Sequence, residues 1–313
     1  MQQYLFVSTA IFSAFITSTG LVAQLLLLAT IFYGCSWNQN SGLLLIASLA
    51  VSDSIGCLGW LFGSLFSLIK PTADWLPGTL AVMISISWSS FCLHLLAMST
   101  QRFVAVWLSA RFGLLCSGQK TKFCIGCIWV ASFLVQIPYI IFCCPVYFDF
   151  YKMASTFDYN NSAVQYPIMH GTVFSSVSTC YSFFLYTLIA WRVWVHTAAF
   201  SQSTIDLSLC WQFFVILAIH VTSNVLFQYI PKFFSTNSPW YYLVPISCTI
   251  NFSVNPIVYY VWNRQLKLAF VAKILGQNQR PNSAAAVNLE QRVGTVRTDL
   301  VDDNAQSAEN VDL

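Results

Sequence analysis

The chain has 313 residues, of which 57% are hydrophobic, 16% are aromatic and only 8% are charged, and its mean hydropathy is +0.65. A soluble globular domain carries roughly 25% charged residues, so this composition excludes a soluble domain and predicts a protein surrounded by membrane lipid. The formal net charge is only +3, from 14 basic and 11 acidic residues, and we expect no nucleic-acid partner.

Seven apolar stretches follow one another along the chain, and each reaches the roughly 20 residues that a transmembrane helix needs. They lie near residues 5–33, 42–69, 76–107, 122–144, 167–195, 207–231 and 240–262. We therefore predict an all-α membrane protein, a seven-transmembrane-helix bundle without a second domain. The first stretch lacks a basic start and a small-residue cleavage site, so we interpret it as a retained helix rather than a removed signal peptide.

Two charged residues stand out in the second and third stretches. Asp53 lies near the middle of the second stretch, where a charged carboxylate costs about 2.5–3.5 kcal/mol on insertion scales. One interpretation is a protonated side chain that bonds neighbouring hydroxyls and only holds helices together; the other is a larger polar network. Arg102 ends the third stretch, where an arginine alone could be a simple interfacial anchor.

The basic residues indicate the orientation, because cytoplasmic loops carry an excess of Lys and Arg. With the N-terminus extracellular, eight basic residues near the membrane ends are cytoplasmic and three are extracellular, namely Lys70, Lys152 and Lys232. The Asn-Asn-Ser segment that begins at Asn160 then lies in an extracellular connection between the fourth and fifth stretches. Asn160 is therefore a candidate glycosylation site.

The seventh stretch contains the run Asn-Pro-Ile-Val-Tyr at residues 255–259. A proline inside an apolar helix removes one backbone hydrogen bond and kinks the helix, so the freed carbonyl needs a polar neighbour such as Asn255 or a water molecule. Residues 263–275 then combine apolar residues four apart with basic ones, which predicts a short amphipathic helix at the inner leaflet. Residues 276–313 are polar and acidic, which predicts a disordered cytoplasmic tail after a membrane domain of residues 1–275.

Asp53, the triplet Gln101-Arg102-Phe103 and the run at 255–259 together resemble the rhodopsin-like (family A) receptors, which couple to heterotrimeric G proteins. The resemblance implies a plasma-membrane receptor whose coupling and activation switch comprises Gln101, Arg102, Phe103, Asn255, Pro256 and Tyr259. It also implies that Asp53 faces an intramembrane polar network of Gln24, Asn251 and Asn255 through waters or a sodium ion. Gln101 stands where those receptors carry an acid, and a neutral hydrogen bond to Arg102 is roughly half as strong as a charge-assisted one.

Helical spacing locates a candidate ligand pocket on the third stretch. Ile84 precedes Arg102 by 18 residues, which is five whole turns, and Trp88 precedes it by 14 residues, so both lie near the face that looks into the bundle. We predict a pocket roughly 20 Å above Arg102, at 1.5 Å per residue, lined by Leu80, Ile84, Trp88, Phe227, Tyr241 and Tyr242. The absence of charge favours a small uncharged or lipophilic ligand; the alternative is that these side chains only pack.

The cysteines indicate neither a disulfide nor a metal site. In the receptors that the chain resembles, a cysteine at the outer end of helix three bonds to the second extracellular loop, but here Pro77 takes its place, so we predict no disulfide there. Cys124 and Cys127 form a Cys-x-x-Cys pair without two further ligands, and we predict no metal and no cofactor. No Ser/His/Asp set converges by spacing, so we predict that the chain is not an enzyme.

Several departures from the common receptor pattern refine the resemblance. Gln24, Pro77, Gln101 and the lack of a mid-stretch proline in the fifth and sixth stretches are similar to the divergent chemosensory branches that nematodes have expanded, serpentine receptor class x among them. We expect a chemosensory receptor that transmits small-molecule binding to a G protein. A seven-helix protein that does not couple is one alternative, because the missing prolines remove a hinge. A transporter or channel is another, although the sequence lacks paired repeats.

Overall fold

The computed structural model describes residues 2–35, 40–69, 72–137, 146–157, 165–196, 203–234 and 238–273. Within them the chain is almost entirely helical. The elements are α1 (Gln2–Gly34), α2 (Ser41–Ile69), α3 (Trp75–Trp107), a 3-10 turn (Ser109–Arg111), α4 (Phe112–Leu115), α5 (Gly118–Leu134), β1 (Val146–Asp149), β2 (Ala154–Phe157), α6 (Gln165–His196), α7 (Ser203–Phe233), a second 3-10 turn (Pro239–Tyr242), α8 (Leu243–Ser253), α9 (Asn255–Trp262) and α10 (Arg264–Lys273).

Five of the described helices are long and apolar enough to cross a membrane. The qualifying segments are Gln3–Gly34, Ser41–Ile69, Trp75–Trp107, Gly171–Val195 and Trp211–Pro231, which confirms helices of spanning length at the first, second, third, fifth and sixth apolar stretches. Their outward faces are strongly apolar: on α6, for example, Val177, Phe184 and Trp194 are 60%, 59% and 81% exposed. Such faces suit lipid rather than water, and the chain is a multi-pass membrane protein.

The fourth and seventh stretches differ from the other five. The fourth, predicted at 122–144, is α5 over its first part; this helix already begins at Gly118, and residues 138–144 lie outside the described part of the chain. The seventh is divided between α8 and α9, because the helix breaks at Val254, directly before Asn255 and Pro256. Neither α5 nor the two halves of the seventh stretch reaches the length of a membrane span within the described residues.

The helices of the compact unit Met1–Phe270 pack mostly against their neighbours in sequence. In addition, α3 contacts α5, α6 and β1, so that α3 is covered on several sides, and α8 and α9 close back onto α1. Two apolar clusters result. One surrounds Tyr259 at the end of the unit that carries Arg102, which we term the arginine end. The other surrounds Trp60 and Phe148 at the opposite end, which we term the hairpin end.

The hairpin end takes its name from β1 and β2, which pair antiparallel with Phe148 opposite Ser155. Asp149 begins the turn: its Oδ1 accepts hydrogen bonds from the backbone amides of Tyr151 and Lys152, at 2.8 and 3.2 Å. Phe148 is buried and inserts against α2, where Gly63 leaves the space that its ring fills. A Cβ on Gly63 would lie 2.6 Å from the ring, so any larger residue there would require the ring to shift.

Candidate functional site

A buried polar network joins α1, α2 and α9 around Asp53, whose side chain is 0% exposed. Asp53 Oδ2 accepts a hydrogen bond from Asn255 Nδ2 at 2.6 Å and another from Gln24 Nε2 at 3.2 Å. The predicted partners Gln24 and Asn255 thus bond the carboxylate directly. The two amide donors compensate Asp53 Oδ2, whereas Asp53 Oδ1 and Gln24 Oε1 have no hydrogen-bond partner among the described residues.

The helix break before Pro256 is held by Gln24. A proline at 256 cannot donate to the carbonyl of Phe252, four residues earlier. Gln24 Nε2 donates to that carbonyl oxygen at 3.1 Å, and Cys57 Sγ lies 3.6 Å from it. The polar neighbour predicted for the freed carbonyl is thus Gln24; Asn255, named as an example, bonds Asp53 instead. The extra methylene of Gln, compared with Asn, gives Gln24 the reach to bond both Asp53 and Phe252.

Asn251 lies apart from this network. It is fully buried, and neither its Nδ2 nor its Oδ1 has a hydrogen-bond partner among the described residues. Its neighbour is His220 of α7, with which it interacts electrostatically outside hydrogen-bond geometry. The His220 ring lies between Trp88 and Phe91 of α3, with centroid distances of 4.9 and 4.8 Å. The fourth predicted member of the network therefore belongs to a junction of α3, α7 and α8.

A second polar junction joins α2, α3 and α5 on Ser48. His94 Nε2 lies 2.9 Å from Ser48 Oγ, and Trp129 Nε1 donates to the same oxygen at 3.0 Å. His94 Nδ1 lies 2.8 Å from the carbonyl of Ser90. Both ring nitrogens of this buried histidine are thus in hydrogen-bond contact, and the residue connects helices.

At the arginine end, the switch residues predicted from the sequence meet in one region but not in the expected pairs. The guanidinium of Arg102 lies over the ring of Phe213 on α7, with 5.4 Å between Cζ and the ring centroid. Gln101 Nε2 donates to Ser41 Oγ, at the start of α2, at 2.8 Å. Tyr259 is 0% exposed, and its hydroxyl lies 4.0 Å from Met98 Sδ.

Phe103 and Pro256 complete the predicted switch. Pro256 is buried in the first turn of α9. Phe103 stacks on Trp107 at 5.7 Å, and Trp107 in turn stacks on Trp191 of α6 at 6.1 Å. The Arg192 guanidinium lies 4.6 Å from the Trp107 ring centroid. Phe103 thus belongs to an aromatic contact between the ends of α3 and α6.

At the hairpin end, five of the six predicted pocket residues belong to one apolar cluster. Leu80, Ile84, Trp88, Phe227 and Tyr242 converge from α3, α7 and the second 3-10 turn. Tyr241 is buried next to Tyr242 but is not part of this cluster.

Sequence reasoning missed the other members of the cluster, among them Phe148, Phe150 and Met153 of the hairpin. A signal was present in the sequence: the strand-forming run Val-Tyr-Phe at 146–148 followed directly by Asp149, a turn residue.

Some predicted features lie where the structure says little. Asn160 and residues 274–313, which include the end of the predicted amphipathic helix and the tail, lie outside the described residues.

The cysteines described are all free, Cys124 and Cys127 included. Among the described residues there is no group of three His, Cys, Asp or Glu side chains that could hold a metal ion.

One comparison places the chain among known proteins. Residues 14–244 match the family of the serpentine type 7TM GPCR chemoreceptor Srx. This match covers most of the chain, from α1 to the second residue of α8, and includes Asp53, Arg102 and the hairpin. No curated protein matches the chain. The chain therefore belongs to the Srx family of serpentine seven-transmembrane chemoreceptors.

Proposed function

We propose that this chain is a rhodopsin-like, chemosensory G-protein-coupled receptor of the plasma membrane. Its seven spans are α1, α2, α3, α5, α6, α7 and the broken pair α8–α9, with the N-terminus extracellular. The hairpin end then faces outward and the arginine end faces the cytoplasm. The receptor domain comprises residues 1–275 and ends in an amphipathic helix at the inner leaflet, of which α10 is the described part; residues 276–313 follow it on the cytoplasmic side and lie outside the described residues. Asn160 carries a glycan.

The ligand in this proposal is a small uncharged or lipophilic molecule, bound in the cluster at the hairpin end. The side chains that converge there are apolar or aromatic, and the imidazole of His220 lies beside Trp88 at the base of the cluster. Burial of apolar surface, at roughly 25 cal/mol per Å², would supply most of the affinity. Tyr241 and Tyr242 are carried by the same 3-10 turn, so a ligand that moves one tyrosine also moves the start of α8.

The position of Phe252 is the observation that carries the proposal. This residue takes part both in the cluster at the hairpin end and in the hydrogen-bonded network around Asp53. Its ring meets Trp88 edge-on at a centroid distance of 6.2 Å, within the cluster at the hairpin end. Its carbonyl oxygen is held by Gln24, whose amide also holds Asp53. A ligand that displaces Trp88 would therefore act on the broken helix at the point where its hydrogen bonding is weakest.

The output in this proposal is a rearrangement at the arginine end that admits a heterotrimeric G protein. Asn255 follows Phe252 by three residues, and Tyr259 lies one helical turn further along α9, in the same cluster as Met98 of α3. A ligand shifts such an equilibrium only through different affinities for its two states. The mechanism needs an element that can adopt two positions, and in this proposal that element is the helix broken at Val254 and Pro256.

Two alternatives remain from the sequence. A transporter or channel would place polar groups along a pathway through the bundle, whereas Asp53 and Ser48 are the centres of two separate hydrogen-bonded junctions among the described residues. A seven-helix protein that does not couple is the closer alternative, because it would share the fold and the ligand pocket. Only signalling separates it from a receptor.

The experiment is ligand-free signalling in cells that co-express a promiscuous G-protein α subunit. The intact chain is compared with Arg102→Ala and with Val261→Ala, a control on an exposed face of α9. An N-terminal epitope on unpermeabilised cells matches surface expression and tests the orientation. We expect a basal signal that Arg102→Ala abolishes and Val261→Ala preserves. A signal unaffected by Arg102→Ala, or none from the intact chain, contradicts basal coupling and favours the non-coupling protein.

A further inference from the structure

Phe213 is a buried aromatic residue of α7 that holds a charged residue of α3. Its side chain is 1% exposed, and the Arg102 guanidinium carbon lies 5.4 Å from its ring centroid. On α6, the ring of Tyr186 stacks on Phe213 at 5.7 Å with an interplanar angle of 14°. Phe213 therefore joins α3, α6 and α7 at the arginine end, close to where the proposed function places the G protein.

The contact has the geometry of a cation–π interaction. A guanidinium within about 6 Å of a ring centroid is attracted to the negative π face, and the attraction grows when water is excluded. Water exclusion applies here because Phe213 is almost fully buried and Arg102 is half-buried. Phenylalanine has no hydrogen-bonding group, so its ring can attract Arg102 but can also separate from it without leaving a polar atom unpaired.

The neighbouring residue, Gln101, connects α3 to a different helix. Its amide donates to Ser41 on α2, so this side chain ties α3 to α2, whereas the Phe213 contact ties α3 to α7. Loss of the second removes the contact of α7 with Arg102, whereas Gln101 still bonds Ser41.

We propose that Phe213 holds the arginine end of α7 against α3 in the resting receptor, through its π face on Arg102. Nearer the hairpin end, His220 of α7 contacts Trp88 and Phe91 of α3 separately. Separation of the ring from the guanidinium is then part of the opening of the arginine end. This inference rests on the proposed function only in the statement that opening admits a G protein; the contact and its effect on the distance between the helices can be tested without signalling.

The test changes the charge distribution of the ring and not its volume. Trifluoro- and pentafluorophenylalanine are placed at position 213 of the full chain. Fluorine withdraws electron density from the ring and so weakens the negative potential of the π face that attracts a cation. The same residues at Phe214, which is 46% exposed on the same helix, are the matched control.

Two readouts are measured on each variant. The first is the distance between two spin labels, each attached to p-acetylphenylalanine. One replaces Leu108, which directly follows α3, and the other replaces Ala218, an exposed residue of α7. The second is ligand-free signalling. We expect fluorination at 213, in proportion to fluorine number, to raise the ratio of long to short distances by roughly two- to thirtyfold and to raise the basal signal. Fluorination at 214 leaves both unchanged.

The outcomes separate this inference from the proposed function. Distances that do not lengthen with fluorination at 213 overturn the inference, whatever the signal does. Distances that lengthen at 213 and not at 214, with no change in signal, support Phe213 as the residue that holds α7 and contradict coupling. If the pentafluoro variant does not reach the cell surface, the mono- and trifluoro variants decide the same question, because the predicted effect is graded.

Discussion

Gln24 holds two helices at once, and this gives a quantitative prediction about the break in the last span. Its amide nitrogen donates to Asp53 and to the Phe252 carbonyl, and the side chain is 0% exposed. Interhelical hydrogen bonds in membranes contribute about 0.6 kcal/mol on average and about 1.7 kcal/mol at most. Gln24→Leu keeps most of the volume and removes both bonds, so we expect a loss of roughly 1–3 kcal/mol in the free energy of unfolding.

The assay is reversible unfolding of the purified chain by SDS titration in mixed micelles. Thr19→Val is the matched control, because Thr19 is exposed on the same helix and its hydroxyl bonds only the carbonyl of Phe15 at 2.9 Å. We expect this control to stay within about 0.5 kcal/mol of the wild type, as surface substitutions do. Gln24→Asn shortens the side chain by one methylene and should lose one of the two bonds, giving an intermediate value.

Pro256→Ala makes the test specific for the freed carbonyl. Alanine restores a backbone N–H at 256, which can donate to the Phe252 oxygen and make the second bond of Gln24 redundant. In a double-mutant cycle, Gln24→Leu should therefore cost less in the Pro256→Ala background, by roughly 0.5–1.5 kcal/mol. A cost for Gln24→Leu equal to that of Thr19→Val, or equal in both backgrounds, would refute the reasoning.

Two further substitutions test the packing around the site. Gly63→Ala should displace the hairpin, because the added Cβ would lie 2.6 Å from the Phe148 ring; we expect faster amide exchange in residues 146–157 by mass spectrometry, and unchanged exchange would show that the ring can yield. Ser48→Ala removes the oxygen shared by His94 and Trp129, so we expect a loss of about 1–3 kcal/mol in the same SDS titration; a cost below about 0.5 kcal/mol would mean that the junction does not hold α2, α3 and α5 together.

The sequence predicted the parts of the fold that depend on composition and helical period. The spanning helices follow from runs of apolar residues, and the convergence of Leu80, Ile84 and Trp88 follows from their spacing on one helix, because an unbroken helix fixes which residues share a face. Asp53 was identifiable since an acid in mid-span requires partners. Which side chain would bond it was less certain, because Asn251 and Asn255 lie on the same segment and only the angle of the break decides which of them reaches α2.

Which side chains pair across helices depends on the angle of the break at Val254 and on side-chain length. The local sequence does not determine these pairings. Gln101 was expected to bond Arg102, its neighbour, but consecutive helical residues diverge by about 100°. Gln101 bonds Ser41 of α2, whereas Arg102 lies over Phe213 of α7 and also near Gly42 of α2. Phe213 could not be paired with Arg102 from the sequence, since nothing in an apolar run marks one phenylalanine among several.

Position 24 illustrates the opposite case. Viewed from sequence alone, Gln24 is a departure that weakens the resemblance to other receptors. In the structure, its longer side chain spans the distance to a carbonyl that Pro256 leaves unpaired. Gln24 and Pro256 therefore act together, because the glutamine binds the carbonyl that the proline cannot. The double-mutant cycle between them measures how strongly α1 holds the broken helix.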